Sequence, residues 1–280
     1  IAIQYADPYG MAGSMPLPPY VTNSYTLMKS PNEEPDNTYW TTVLQRRAYV
    51  KNEKPINGIR FGDYNSISLS TLGGWHSTLV IERKAEQTYQ NWKNKYPLSA
   101  ELLKIYMDNY SPSGSNIIGN KDVGQYSYVY DLDYLSMIKT YDVVKREATV
   151  HAQSAAFYIE ANPGLTFGAS IRSGAVPESY LLGDPGYAIA GHTMWHKAEN
   201  IRCDGGYVTA EFTIYLWDVY DFEKSWKDIV GGLVGAEATG PEMEFMHKVG
   251  LYRAFFVYGK TSKTLRWQHK KTNLWTYYPW

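Results

Sequence analysis

The spacing of apolar residues changes from a helical to a two-residue period at Asn162-Pro163-Gly164, and no other feature of this chain constrains its fold as much. Upstream, residues 79–95 form a polar helical stretch. Residues 131–161 carry Leu135, Ile138, Val143, Val144 and Ala148 at helical intervals. Between them Pro97 breaks the chain, and Ser99 resembles an N-cap before the amphipathic run Leu102, Leu103, Ile105 and Tyr106. Residues 111–120 read as a loop. Downstream, residues 165–172, 187–196, 207–217, 251–258 and 265–267 read as strands, punctuated by Asp184-Pro185-Gly186 and Asp204-Gly205-Gly206. Two helices are expected among these strands, over 223–234 and 241–249, the second with Pro241 at its start and Gly250 past its end.

The N-terminal region follows a third pattern. Half of the 14 prolines fall within the first 55 residues, and each removes a backbone donor and restricts its predecessor. An extended arm is expected there, with short strands around 39–50. The fold class is therefore α+β: an extended N-terminal arm, a helical middle, and a C-terminal, mostly antiparallel mixed sheet with short helices. The expected divisions are a Pro-rich arm over 1–78, a helical region over 79–163, and a β-rich catalytic region over 164–280.

Composition narrows the function classes. No run approaches the roughly 20 apolar residues of a spanning helix, so no transmembrane segment is expected. With 27 basic and 28 acidic residues, the chain has no strong electrostatic footprint for nucleic acid. The lone Cys203 excludes an internal disulfide framework and a Cys-rich zinc site. Aromatic content is high, with 26 tyrosines and 9 tryptophans, which suits a β-rich fold or a sugar-binding surface. The chain begins at Ile1 with neither a basic n-region nor an apolar h-region, so secretion or injection by another route is expected.

The chemistry concentrates in residues 207–222. Strand alternation puts Phe212, Ile214 and Leu216 on one face, and a persisting strand carries Asp218 and Tyr220 onto that same face. A carboxylate ending a core-facing row sits at the rim of the core, where pKa values move. If the strand breaks before Asp221, Asp218 and Asp221 flank Tyr220 and can bind a hard cation such as Mg²⁺. The alternative makes Asp221 a helix cap and Asp218 the partner of an arginine.

Asp218-Val219-Tyr220-Asp221-Phe222 resembles the Asp-x-Tyr-Asp-Phe core of the colicin M family of bacteriocins. The surroundings are similar too, with a strand before the motif, a helical segment after it, Glu244-Phe245-Met246-His247-Lys248-Val249-Gly250, and a strand from Ala254 to Gly259. The resemblance covers about residues 187–267. It implies hydrolysis of lipid II, the lipid-linked peptidoglycan precursor, between its undecaprenyl and pyrophosphate groups with the help of a divalent cation. It also implies action in the periplasm of a target bacterium and, as partners, an immunity protein and a delivery or secretion apparatus. Asp218 and Asp221 then bind the cation or activate water, and Tyr220 orients the phosphate. One departure matters. The family has an adjacent His-Arg pair separated from the second Asp by five residues, where this chain has Lys227 and Asp228. Lys227 can steady phosphate charge, but it holds its proton too tightly for acid–base work at neutral pH.

The histidine must then come from elsewhere, and His192, His196 and His247 are the candidates. His192 and His196 are four apart and share a face, and a hairpin through Asp204-Gly205-Gly206 brings one of them beside Asp218; His196 is slightly favoured. They also read simply as hydrogen-bonded strand histidines. Cys203 precedes a Gly-Gly turn instead of opening a helix, which argues against a thiolate nucleophile. Two rival functions remain: a non-enzymatic, aromatic-rich binding or assembly module of a secretion system or phage tail, and a cell-wall glycosidase or amidase working through two carboxylates.

Overall fold

The computed structural model describes residues 25–30, 75–108, 129–179, 183–220, 222, 238, 240, 242, 243, 246, 251, 252, 255–270, 279 and 280. In chain order the elements are Thr26–Leu27 (β1), Trp75–Trp92 (α1), Pro97–Asp108 (α2), Val129–Leu132 (β2), Tyr134–Thr140 (α3), Asp142–Ala161 (α4), Phe167–Arg172 (β3), Val176–Ser179 (β4), Gly183–Ala188 (α5), Gly191–Asp204 (β5), Tyr207–Tyr220 (β6) and Phe255–Gln268 (β7). The strands form one seven-stranded sheet in the order β1-β3-β5-β6-β7-β2, with β4 also paired to β5. Every pairing is antiparallel except β2 with β7. The protein is α+β with a mixed, mostly antiparallel sheet. Among the described residues, no helix is long and apolar enough to cross a membrane.

Local chemistry explains where the elements depart from the sequence periodicity. The block at 131–161 opens as the short parallel strand β2. Asp133 then caps α3 by accepting from the Ser136 amide at 2.9 Å, and the extended Tyr141 separates α3 from α4. The strand expected from residue 165 starts two residues later, after a 3₁₀ turn over Pro163–Thr166. The strand expected from residue 187 begins as α5, because Asp184 is buried at a helix terminus. Its carboxylate accepts from the amides of Leu98 (3.0 Å) and Ser99 (2.7 Å), from Ser99 Oγ (2.6 Å) and from the Tyr141 hydroxyl (2.5 Å). Asp184 thus satisfies the free N–H groups that open α2. Ser99, expected as the cap itself, is a donor inside a helix that begins at Pro97.

The two short C-terminal strands expected around 251–267 are a single strand, β7, paired with β6 from Tyr207↔Gln268 to Tyr220↔Phe255. Gly259 keeps it flush with α3: a Cβ there would meet the Tyr134 Cβ at 3.2 Å. The strands expected at 39–50, the loop at 111–120 and the helix at 223–234 lie outside the described residues. Of 241–249, only Glu242, Met243 and Met246 are described, all helical.

One face of β5, β6 and β7 is closed by helices. Met194, Ala198, Phe212, Ile214, Leu216, Val257 and Leu265 are all buried there. The α4 helix lies against β5 and β6, and its small Ala148, Ala152 and Ala155 let it approach closely. Where the alanine row is interrupted, α4 turns Glu147, His151 and Ser154 towards the same side, and these polar groups set the chemistry beneath the sheet.

Candidate functional site

Which histidine meets Asp218 is decided by a bulge in β5. The hairpin closes with Asp204 opposite Tyr207 and Arg202 opposite Thr209 around Gly205 and Gly206, both at positive φ. Had that register continued, His192 would face Val219, and both histidines would lie on the sheet face away from α4. Between Glu199 and Arg202 the register shifts by one residue, so that Asn200 and Ile201 together oppose Ala210. Asn200 takes φ 52°, one of only two non-glycine residues at positive φ among those described. A one-residue slip turns every later side chain over. The shifted register pairs His196 with Ile214 and Thr193 with Trp217, and its next step sets His192 opposite Asp218.

On the other side of β5, β4 pairs Glu178 with His192. Directly paired residues share a face, so Glu178, His192 and Asp218 form one row across three strands. Glu147 reaches this row from α4, its Oε1 3.2 Å from His192 Nε2. His192 Nδ1 lies 3.2 Å from the Ile189 carbonyl and donates to it, since a carbonyl only accepts. Burial by itself lowers the His192 pKa; the Glu147 carboxylate, Asp218 and the Ile189 carbonyl outweigh it and hold the group raised. Both contacts are to acceptors, a carbonyl oxygen and a carboxylate, and the protonated ring satisfies them by donating through both nitrogens. In that form it is a buried cation with no lone pair left to accept a proton. Glu178 is pushed up to about 7, chiefly by burial and then by Glu147, with His192 opposing. At neutral pH this carboxyl retains much of its proton. Asp218 and Glu178 are each half-buried at the rim, while His192 lies beneath them.

His196 occupies a different environment, one turn of strand deeper. Its Nδ1 is 2.9 Å from His151 Nδ1, and its Nε2 is 3.0 Å from the Tyr25 hydroxyl, which also donates to Ser154 Oγ at 3.0 Å. Burial first, then the neighbouring His151, holds His196 well below its ordinary value. Burial likewise lowers His151 to about 4. These are neutral core histidines, and they tie the Tyr25 segment to α4; Tyr25 also stacks on Tyr158 with centroids 4.3 Å apart. Tyr220 continues the core-facing row but lies inside the core instead of at its rim. It stacks on Phe255 and meets Tyr106 and Phe222 edge-on, and its hydroxyl has no hydrogen-bond partner among the described residues. Burial, then the Asp218 charge, raises its pKa.

The hairpin thus brings His192, and not His196, to Asp218. Asp221, Lys227 and His247 lie outside the described residues. Of the two aspartates expected to hold Mg²⁺ only Asp218 is described, and no group of three or more His, Cys, Asp or Glu among the described residues could hold a metal ion. Cys203 is exposed near the hairpin tip. Sequence reasoning missed Glu147 and Glu178. Glu147 carried a weak signal, four residues before His151 on an apolar helix face; Glu178 carried none, because only the β4–β5 pairing gives it a neighbour. No family model, curated protein or solved structure matches the chain.

Proposed function

We propose that this chain is a hydrolase of the colicin M type, cleaving lipid II at its undecaprenyl–pyrophosphate linkage on the periplasmic side of a target cell. The observation that supports the reading best is the row beside the resembling motif: Asp218 at the rim, set opposite the buried His192 cation that Glu147 holds in place. Asp218 activates the attacking water. His192 offsets developing phosphate charge from beneath, in a setting where fixed charge acts strongly. That partly fills the place of the family's His-Arg pair, although here the histidine supplies charge and not a mobile proton.

The test is incubation of the full chain with purified lipid II and Mg²⁺, followed by chromatography of the products. Asp218→Ala should lose turnover by roughly 10²–10⁴-fold, the scale for losing a general base. Its thermal midpoint should hardly move, because a rim carboxylate contributes little to stability. Full turnover by folded Asp218→Ala, or no cleavage by the wild type, overturns the reading. The sheet face away from α4 favours a second reading, a glycan-binding module. There Tyr215, Trp217 and Tyr258 are half-buried, Trp217 and Tyr258 lie with centroids 4.6 Å apart, and the buried Trp195 backs Tyr215 at 3.9 Å. Binding of peptidoglycan fragments that survives Asp218→Ala and fails in Trp217→Ala would support that module.

A further inference from the structure

Hydrolysis of a phosphate ester of an aliphatic alcohol needs a proton for the departing alkoxide, and the groups beside Asp218 differ in their ability to give one. His192 has both nitrogens committed, to the Ile189 carbonyl and to Glu147. Glu147 is the counter-ion of that cation. His196 and His151 are neutral, buried and bonded to each other, and His196 is bonded to Tyr25 as well. Glu178 remains. It flanks His192 on the side opposite Asp218, in the same row and half-exposed at the rim.

We infer that Glu178 is the general acid of this site, giving its proton to the leaving alkoxide while Asp218 takes the proton of the attacking water. The assignment rests on the hydrolase reading above. Neighbouring strands lie about 4.8 Å apart, so the backbones of Glu178 and Asp218 are separated by about 10 Å. That spacing lets two carboxyl groups bracket a reacting centre, one on the attacking side and one on the leaving side. The step balances: a water oxygen bonds to phosphorus, and the bond from phosphorus to the undecaprenyl oxygen breaks. The water's proton goes to Asp218, and the Glu178 proton goes to the alkoxide, giving undecaprenol and a pyrophosphoryl sugar.

The charges facing Glu178 have distinct effects. Glu147 on α4 makes loss of the proton harder, the His192 cation on β5 makes it easier, and Asp218 on β6 lies one strand further away. Burial, with Glu147 adding to it, pushes the acid up to about 7, so that a large share of it carries its proton at neutral pH. Glu147 is then a positioning residue that acts through both neighbours: it fixes the His192 ring and raises the proton affinity of Glu178.

Two measurements on the full chain test the assignment. The first is a carboxyl ¹³C titration of glutamate-labelled protein, in which the resonance lost in Glu178→Gln should titrate near pH 7 and move downward in Glu147→Gln. The second compares lipid II with an activated aryl pyrophosphate ester, whose leaving group needs no proton. Glu178→Gln should lose roughly 10²–10⁴-fold on lipid II and cleave the aryl ester near the wild-type rate. If Glu178→Gln does not fold, Glu178→Asp should show the same selective loss on a smaller scale. A Glu178 carboxyl that titrates below pH 5, or equal losses on both substrates, overturns the general-acid role. Wild-type cleavage of the aryl ester but not of lipid II overturns the lipid II reading alone, and Glu178 is then judged by its titration. Cleavage of neither substrate overturns both.

Discussion

Asn200 makes the bulge testable. At φ 52° it occupies the left-handed region, which asparagine tolerates and β-branched residues do not. Asn200→Val should cost about 1–2 kcal/mol for the backbone conformation. It also loses the hydrogen bond from Asn200 Nδ2 to Glu211 Oε2 (3.1 Å), which is exposed and contributes about 0.5 kcal/mol. The total of about 2 kcal/mol is a measurable share of the roughly 5–15 kcal/mol that holds a domain folded, and too little to unfold it. Asn200→Gly, free to take positive φ, should lose only about 0.5 kcal/mol, the share of the missing hydrogen bond. The bulge should survive in both variants. Slipping to the unbulged register would turn Met194 out of the core and Lys197, now paired with Glu199 at 2.8 Å, into it. Urea unfolding reads the stability difference, and the ¹⁵N resonances of His192 report whether both ring nitrogens stay protonated. Equal stability of the valine and glycine variants would refute the strain argument. A neutral His192 in Asn200→Val with undiminished stability would refute the argument that burial of Lys197 guards the register.

Three further outcomes are expected. His151 is held at about 4, below its ordinary 6.5, so the unfolded chain binds that proton first. Its contribution is complete above pH 6.5 and falls by about 3 kcal/mol as pH drops to 4, at about 1.4 kcal/mol per pH unit; His151→Asn, whose amide can mimic Nδ1, should flatten that limb in pH-dependent urea unfolding. Asp184→Ala strands the Leu98 and Ser99 amides and should cost about 3 kcal/mol in the same assay, with Asp184→Asn costing less. Toxicity should depend on compartment: expression in the cytoplasm should be harmless and fusion to an export signal lytic, whereas equal killing from both would point to an internal target.

Much of the architecture was legible because local chemistry specifies it. Alternation at 207–217 and the Asp204-Gly205-Gly206 turn describe the β5–β6 hairpin correctly, since a glycine pair readily supplies the positive φ a tight turn needs. The helical intervals at 79–95 and within 131–161 correspond to α1 and to α3 with α4. The reading of Phe212, Ile214, Leu216, Asp218 and Tyr220 as one face also holds, because β6 runs unbroken to Tyr220. Where local signals competed with distant partners, the partners won. Asp184-Pro185-Gly186 reads as a turn, yet it folds as a helix because the Asp184 carboxylate meets the start of α2.

The candidate site shows the limit most clearly. Asp218 was visible as a carboxylate at the end of an apolar row, and His192 and His196 were visible as two histidines on one face. That pairing of residue types, and the hairpin that joins their strands, follow from local patterning along the chain. Which histidine faces the carboxylates and which lies in the core depends on the assembled sheet, because one extra residue at Asn200 changes the parity of all of β5 beyond it. Tertiary assembly alone brought Glu147 from α4 and Glu178 from β4 to His192. Those contacts join residues 14–45 positions apart in the chain, and their electrostatics arise from shared burial, a property no single segment possesses before the sheet and helix close on one another.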